Sequence, residues 1–197
     1  KVWLVKKACR MSDYNCRFRK YFFFRISHNS SVVWRRRDEN GNLLVMYHGT
    51  PHGEFEVFDA YGGNFGLFGQ GIYTTDELSV AIGYSNKKVR GKDAKPHVYK
   101  LYVNIENPIN MDEKADSKLW NKKLKDYNMD DIKITDSMTN TDAWNEVLDY
   151  LADGFTSKSE AESTAGDLIR GMGYDGITHQ GGIRIGNKKH RVYKWLF

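Results

Sequence analysis

Two kinds of hydrophobic pattern divide the chain. In residues 97–109, HVYKLYVNIENPI, apolar and polar positions alternate, which is typical of a half-buried strand. Residues 43–47 form a continuous β-prone apolar run, and the closing residues 190–197 alternate again. Between residues 112 and 170, apolar residues recur three or four positions apart, which predicts helices. Because strands and helices are mixed without regular βαβ alternation, the pattern favours an α+β fold.

Glycine and polar residues mark where several predicted elements begin or end. The glycine-rich residues 59–70, DAYGGNFGLFGQ, predict a mobile loop. The run GIYTT at 71–75 predicts a short strand, and Asp76 fits the N-cap of a helix over ELSVAIGYS. Near the end of the chain, GYDGITH at 173–179 predicts another short strand.

Composition is that of a soluble globular protein. The chain has 197 residues, 40% hydrophobic and 28% charged, enough for one domain with a real core. No stretch approaches the roughly 18–20 apolar residues that span a bilayer, and the basic N-terminal residues lack the apolar segment and cleavage site of a signal peptide. The two cysteines, Cys9 and Cys16, have no clustered partner ligands, so we expect no metal.

The formal net charge of +5 is unevenly distributed. Basic residues crowd the first forty positions and the last fifteen, whereas residues 106–167 are acidic by comparison. Basic arms often contact nucleic acid or other anionic surfaces. A solvated flank is the simpler interpretation, and an anionic substrate would be attracted by the same charge.

A polar motif follows the predicted strand 43–47. His48, Gly49, Thr50 and Pro51 come directly after it. Taken alone, glycine and proline punctuate chains, and such a histidine is usually a surface or hydrogen-bonded residue. The alternative is that Gly49, which has no Cβ, lets a ligand approach the backbone. The His48 ring and the Thr50 hydroxyl would then supply polar contacts.

A pair of tyrosines follows the glycine-rich segment. Tyr73 lies in the predicted strand 71–75, and Tyr84 lies in the helix predicted after it. Two aromatic rings beside a glycine-lined approach would form a slot for a flat ring, because aromatic faces stack on planar ligands. Core packing is the more common explanation of a tyrosine pair taken alone.

In this order, the two motifs resemble the ADP-ribosyltransferase family, in the histidine–tyrosine–glutamate branch that includes the poly(ADP-ribose) polymerases and diphtheria toxin. DENGN before the histidine and GYDGI near the end make the chain most similar to the domains found in phage polyvalent proteins and bacterial effectors. The resemblance covers residues 35–197 and leaves residues 1–34 as a basic, aromatic N-terminal extension. It implies split antiparallel β-sheets with flanking helices.

The resemblance also implies NAD+ as the substrate and assigns residues to it. His48 would hydrogen-bond the adenosine-side ribose, with Thr50 beside it. The backbone of Gly49 would bind the nicotinamide carboxamide, the tyrosines would sandwich the nicotinamide ring, and the loop at 59–70 would lie over NAD+. The residues expected to bind NAD+ are His48, Gly49, Thr50, Gly71, Tyr73 and Tyr84.

The third family element, a glutamate at the start of a late strand, is missing. KKHRVYKWLF contains no acidic residue, and no Asp or Glu follows Asp175. We expect Gln180 to join His48 and Tyr73 as a catalytic residue, since a glutamine can hydrogen-bond a ribose hydroxyl, although without charge. The alternatives are that His190 contacts the ribose, or that neither does and turnover is poor. Asp175 fits a turn cap.

The resemblance therefore implies a mono-ADP-ribosyltransferase that transfers ADP-ribose from NAD+ to a protein acceptor. Mono-transfer is expected because polymer synthesis normally needs the missing glutamate. One alternative is a catalytically weak or dead module that binds NAD+ or ADP-ribose. The other is a nucleic-acid-directed transferase, suggested by the basic residues 17–37. We expect a monomer that does not bind membranes and is cytoplasmic or delivered into a host cell as an effector.

Overall fold

The structure is a computed structural model that describes residues 23–25, 44–59, 65–87, 95–103, 105–154, 157–181 and 191–195. Most of the predicted N-terminal extension lies outside these ranges, as do DENGN and His190. The boundary between extension and core therefore stays a prediction.

The strands are β1 (Phe23–Arg25), β2 (Val45–Thr50), β3 (Val57–Asp59), β4 (Phe65–Gly66), β5 (Gly69–Gln70), β6 (Tyr73–Thr75), β7 (His97–Tyr102), β8 (Pro108–Asn110), β9 (Gly176–Gln180) and β10 (Arg191–Trp195). The helices are α1 (Leu78–Ser85), α2 (Ser117–Asp126), α3 (Asn140–Asp153) and α4 (Lys158–Gly171).

A six-stranded sheet in the order β7-β2-β6-β10-β9-β8 forms the centre of the described fold. Its neighbours are antiparallel except for β8 and β9, which are parallel. Two small antiparallel pairs, β1 with β3 and β4 with β5, lie outside this sheet. The mixture of antiparallel strands and helices confirms the α+β prediction.

The helices predicted between residues 112 and 170 are confirmed as α2, α3 and α4, and local capping explains where α3 and α4 begin. Thr139 and Asp142 form a reciprocal capping box on α3, and Ser157 and Glu160 form one on α4. Such boxes satisfy backbone N–H groups that have no partner inside the helix. The cap predicted for α1 is wrong, because Glu77 rather than Asp76 accepts from the Ser79 N–H. Asp76 instead accepts from the N–H of Arg191 in β10.

One strand prediction and one loop prediction need correction. β2 does not end at residue 47 but continues through His48 and Gly49 to Thr50, because β7 pairs with it along its whole length. Pro51, which has no N–H to donate, follows immediately. The predicted loop at 59–70 is wrong for its second half, where β4 and β5 form a hairpin at residues 65–70, here called the β4–β5 hairpin.

The strand predicted at 97–109 is divided into β7 and β8 by a turn. The Asp175 carboxylate accepts the backbone N–H groups of Glu106 (2.6 Å) and Asn107 (2.9 Å) in that turn. Asp175 therefore caps a turn, as the sequence predicted. Because it precedes β9, it also links the turn to the strand that pairs with β8.

The largest hydrophobic cluster lies around the helices α2, α3 and α4. It includes the fully buried Trp120, Leu124, Trp144 and Leu168. There are two smaller clusters, one with Met46 of β2 and Tyr193 of β10 and one with Phe58 of β3 and Tyr99 of β7. Among the described helices, none has the length and apolar character needed to cross a bilayer.

Candidate active site

His48 connects β2 to β6. Its Nδ1 lies 2.7 Å from the carbonyl oxygen of Tyr73. A carbonyl can only accept, so Nδ1 carries the hydrogen, and in the neutral ring Nε2 is then an acceptor. Burial lowers the pKa of His48, although the bond to Tyr73 opposes this effect. The ring is therefore neutral at pH 7 and offers an acceptor nitrogen, which suits a hydroxyl donor such as that of a ribose.

Aromatic side chains hold the His48 ring in place. Phe58 lies edge-on to it, with 5.1 Å between ring centroids, and Phe55 and Tyr99 lie at 6.4 Å. These contacts and the Tyr73 carbonyl limit rotation of the ring. The orientation of Nε2 is thus fixed by the fold before any ligand binds.

Gly49 is explained by a helix. A Cβ atom built at Gly49 would lie 1.8 Å from the carbonyl oxygen of Ala81 in α1, far inside van der Waals contact. The backbone of α1 therefore occupies the space that a side chain at Gly49 would fill. The sequence-based explanation, in which a ligand enters that space, is wrong for the direction in which a Cβ would point. Binding of a ligand by the Gly49 backbone stays a prediction.

Thr50 is buried at the end of β2, with 4% of its surface exposed. Its hydroxyl accepts a hydrogen bond from the His52 N–H at 3.2 Å, across Pro51. Such side-chain bonds two residues ahead are typical of turns. The role that the structure shows for Thr50 is to hold this turn, and its contact with a ribose stays a prediction.

The Tyr73 ring packs against the β4–β5 hairpin. Its hydroxyl donates to the Gly69 carbonyl (2.5 Å) and accepts from the Phe68 N–H (3.2 Å). A Cβ at Gly66 would lie 2.3 Å from the ring carbon Cζ, so only a glycine allows this approach. Burial raises the pKa of Tyr73, which keeps the hydroxyl protonated and able to donate.

Tyr84 lies on α1, one turn after Ala81, and 41% of its surface is exposed. It is close enough to Tyr73 to affect that residue's pKa electrostatically. The Lys87 ammonium lies 3.9 Å from the Tyr84 ring centroid. The structure thus brings the two predicted tyrosines near each other, one half-buried and one exposed.

Gln180 is not brought to this pair. It is the exposed last residue of β9, opposite Arg191, and its N–H donates to the Asp112 carboxylate (2.6 Å). Tyr73 is opposite Lys194, so Gln180 lies two strands across and three residues along from it. With ordinary strand spacing and rise, this separates their backbones by about 14 Å. The catalytic role of Gln180 stays a prediction.

Sequence reasoning missed a buried lysine beside Tyr73. Lys194 in β10 is 4% exposed, and its ammonium donates to the Phe68 carbonyl. Gly71, assigned to NAD+ by the resemblance, passes over this lysine, because a Cβ there would lie 2.7 Å from the Lys194 Cε. The sequence pattern that could have revealed this lysine is the two-residue alternation of β10, which places Lys194 on the same face as Val192.

No group of three or more His, Cys, Asp or Glu side chains placed to hold a metal occurs within the described ranges. The expectation that the reaction needs no metal stays a prediction.

Comparison with known protein families identifies the family of the chain. The family model described as ADP-ribosyltransferase in polyvalent proteins matches residues 38–194, and this chain belongs to that family. The match contains all the residues predicted to bind NAD+, and it confirms the resemblance found in the sequence. Enzymes of this kind use NAD+ as their substrate. No match was found among curated proteins or among solved structures.

Proposed function

We propose that this chain is a mono-ADP-ribosyltransferase that cleaves NAD+ and transfers ADP-ribose to a protein acceptor. The observation that carries the proposal is the hydrogen bond between His48 and the Tyr73 carbonyl. It joins two distant sequence motifs within the region that matches the family. The bond also leaves Nε2 of a neutral ring as an acceptor for a ribose hydroxyl.

The proposed reaction replaces one bond at the anomeric carbon of the nicotinamide ribose. The bond from this carbon to the nicotinamide nitrogen breaks, and nicotinamide leaves with the bonding electron pair. A nucleophilic atom of the acceptor then bonds to the same carbon and loses its proton. Tyr73 and Tyr84 would hold the nicotinamide ring, since stacked aromatic contacts orient flat ligands.

Transfer of a single ADP-ribose is proposed because the chain has no acidic residue after Asp175. A fixed carboxylate would stabilise the positive charge that develops on the ribose, usually a large electrostatic contribution. Gln180 is our first candidate for a neutral replacement, although its distance from Tyr73 requires that the substrate reach across β10 or that β9 move. Gln180→Ala should then lower the rate of nicotinamide release and leave NAD+ affinity nearly unchanged. Full activity in this variant would exclude Gln180.

The same missing carboxylate supports a second candidate function. A chain that keeps the His48 and Tyr73 contacts but lacks the charged group would bind NAD+ or ADP-ribose without turning it over. The two functions differ in one observable, the release of nicotinamide.

The test uses the full chain, NAD+ labelled in the adenosine half and a cell lysate. Labelled protein bands together with nicotinamide release support the transferase. NAD+ binding measured by calorimetry, with neither label nor nicotinamide, supports the binding module. Absence of binding, label and release would contradict both.

The site assignment is tested by a matched pair of tyrosines. Tyr84 on α1 is 41% exposed and Tyr150 on α3 is 37% exposed, so the two lose similar surface when truncated. Tyr84→Ala should weaken NAD+ binding by about 1–3 kcal/mol, the range for a stacked aromatic contact. Tyr150→Ala should leave it unchanged, and equal effects of the two substitutions would remove Tyr84 from the site.

A further inference from the structure

A charged side chain is buried beside Tyr73 of the proposed NAD+ site. Lys194 pairs with Tyr73 across the β10–β6 register and is almost fully enclosed. Its ammonium lies 5.9 Å from the ring centroid of Tyr73 and 5.9 Å from that of Trp144 on α3. Burying an ammonium costs free energy unless its donors find acceptors. Here the acceptor is the carbonyl oxygen of Phe68, at the turn of the β4–β5 hairpin.

We infer that Lys194 is a positioning residue, whose ammonium holds the β4–β5 hairpin against Tyr73 and so sets the orientation of that ring for NAD+. The inference rests on the proposed function, since it takes Tyr73 to contact NAD+. Lys194 itself is not proposed to touch the substrate.

The peptide groups of Phe68 carry the argument. The Phe68 carbonyl accepts from Lys194, and the Phe68 N–H donates to the Tyr73 hydroxyl. The same hydroxyl donates to the Gly69 carbonyl. The lysine, the hairpin and the tyrosine ring thus form one connected set of hydrogen bonds. Loss of the ammonium would leave the Phe68 carbonyl without its buried donor and free the hairpin to move.

Charges on the neighbouring helix explain why the lysine can stay ionised. Glu162 on α4 is 5% exposed and packs against the hairpin, because a Cβ at Gly69 would lie 2.9 Å from the Glu162 Cβ. The pKa of Lys194 is lowered to about 8, mainly by burial; Arg170 on the same helix adds to this effect and the Glu162 carboxylate opposes it. At neutral pH most Lys194 side chains therefore carry the charge that the Phe68 bond needs.

A lysine with only a structural role would be energetically unfavourable at this position. A methionine would occupy a similar volume beside Gly71 without the cost of burying a charge. A residue that lowers folding stability but fixes the geometry of a functional site is expected where activity depends on that geometry. Lys194→Met therefore separates the two roles.

The experiment compares Lys194→Met with Lys100→Met, which removes an exposed lysine from β7 of the same sheet. Lys194→Met should unfold at a denaturant concentration close to that of the wild type, because the cost of the unpaired Phe68 carbonyl is offset by no longer burying a charge. Its nicotinamide release or NAD+ affinity should fall by about tenfold or more, the scale expected for loss of a charged hydrogen bond. Lys194→Arg should recover part of the loss, and Lys100→Met should behave as wild type.

Two readouts distinguish positioning from general damage. The wild-type rate should decline as the pH rises past about 8, and Lys194→Met should lack that step. Amide hydrogen exchange in residues 65–71 should accelerate in Lys194→Met but not in Lys100→Met, whether or not NAD+ is present. If exchange accelerates in Lys194→Met but the wild-type protein never binds NAD+, the hairpin contact is kept and the proposed function is refuted. Wild-type activity, pH profile and exchange in Lys194→Met would overturn the inference.

Discussion

The close contact between Gly49 and α1 gives the sharpest test of the fold around the site. In Gly49→Ala, the new Cβ would lie 1.8 Å from the Ala81 carbonyl oxygen and 2.7 Å from the carbonyl carbon. Atoms in packed interiors ordinarily approach to about 3.5 Å. Therefore α1 must move away by more than about 1 Å, or β2 must bend.

The cost should be large for a single methyl group. Overpacking of a protein interior typically costs about 1–3 kcal/mol. Both partners here are backbone, so no change of side-chain rotamer can relieve the overlap, and we expect a loss of about 3 kcal/mol in the free energy of unfolding. Because Tyr84 lies one turn after Ala81 on α1, displacement of the helix should also weaken NAD+ binding.

Denaturant unfolding and calorimetry with NAD+ measure the two effects. Gly154→Ala at the end of α3 is the control, because its Cβ would meet nothing closer than the Leu151 carbonyl oxygen at 3.5 Å. The control should change stability by less than about 1 kcal/mol. A Gly49→Ala protein as stable as the control would refute the packing argument. Unchanged stability with lost NAD+ binding would restore the original explanation, in which the glycine serves the ligand.

Two further predictions concern stability. Asp175→Ala should lower the free energy of unfolding by about 1–3 kcal/mol, because two backbone N–H groups lose their acceptor; thermal melts measure this, and nicotinamide release per folded molecule should not change. Between pH about 8 and about 10, the unfolded chain binds more protons at Lys194 than the folded chain does, so stability should rise with pH, by about 3 kcal/mol in total. Above about pH 10 the raised pKa of Tyr73 acts in the opposite direction. Urea titrations across this range should show the rise in wild type and not in Lys194→Met, and equal slopes in the two proteins would contradict the prediction.

The sequence alone determined the features that depend on a few neighbouring residues. The apolar spacing of α2, α3 and α4 is visible within each helical segment. Each of the capping boxes at Thr139 and Ser157 involves residues within a stretch of four. The turn cap at Asp175 was recognisable because carboxylates commonly cap turns. The order of the His48 and Tyr73 motifs, together with DENGN and GYDGI, was enough to predict the family, because each motif is a short contiguous stretch of sequence.

Tertiary structure alone decided what lies beside these residues. Gly49 is a glycine because α1, which begins almost thirty residues later, crosses it, and Lys194 is buried because β10 pairs with β6. Gln180 and Tyr73 are separated by the register of two strand pairs that no local pattern specifies. Periodicity and capping depend on residues that are close in sequence, whereas the approach of two distant segments depends on how all the strands between them are aligned.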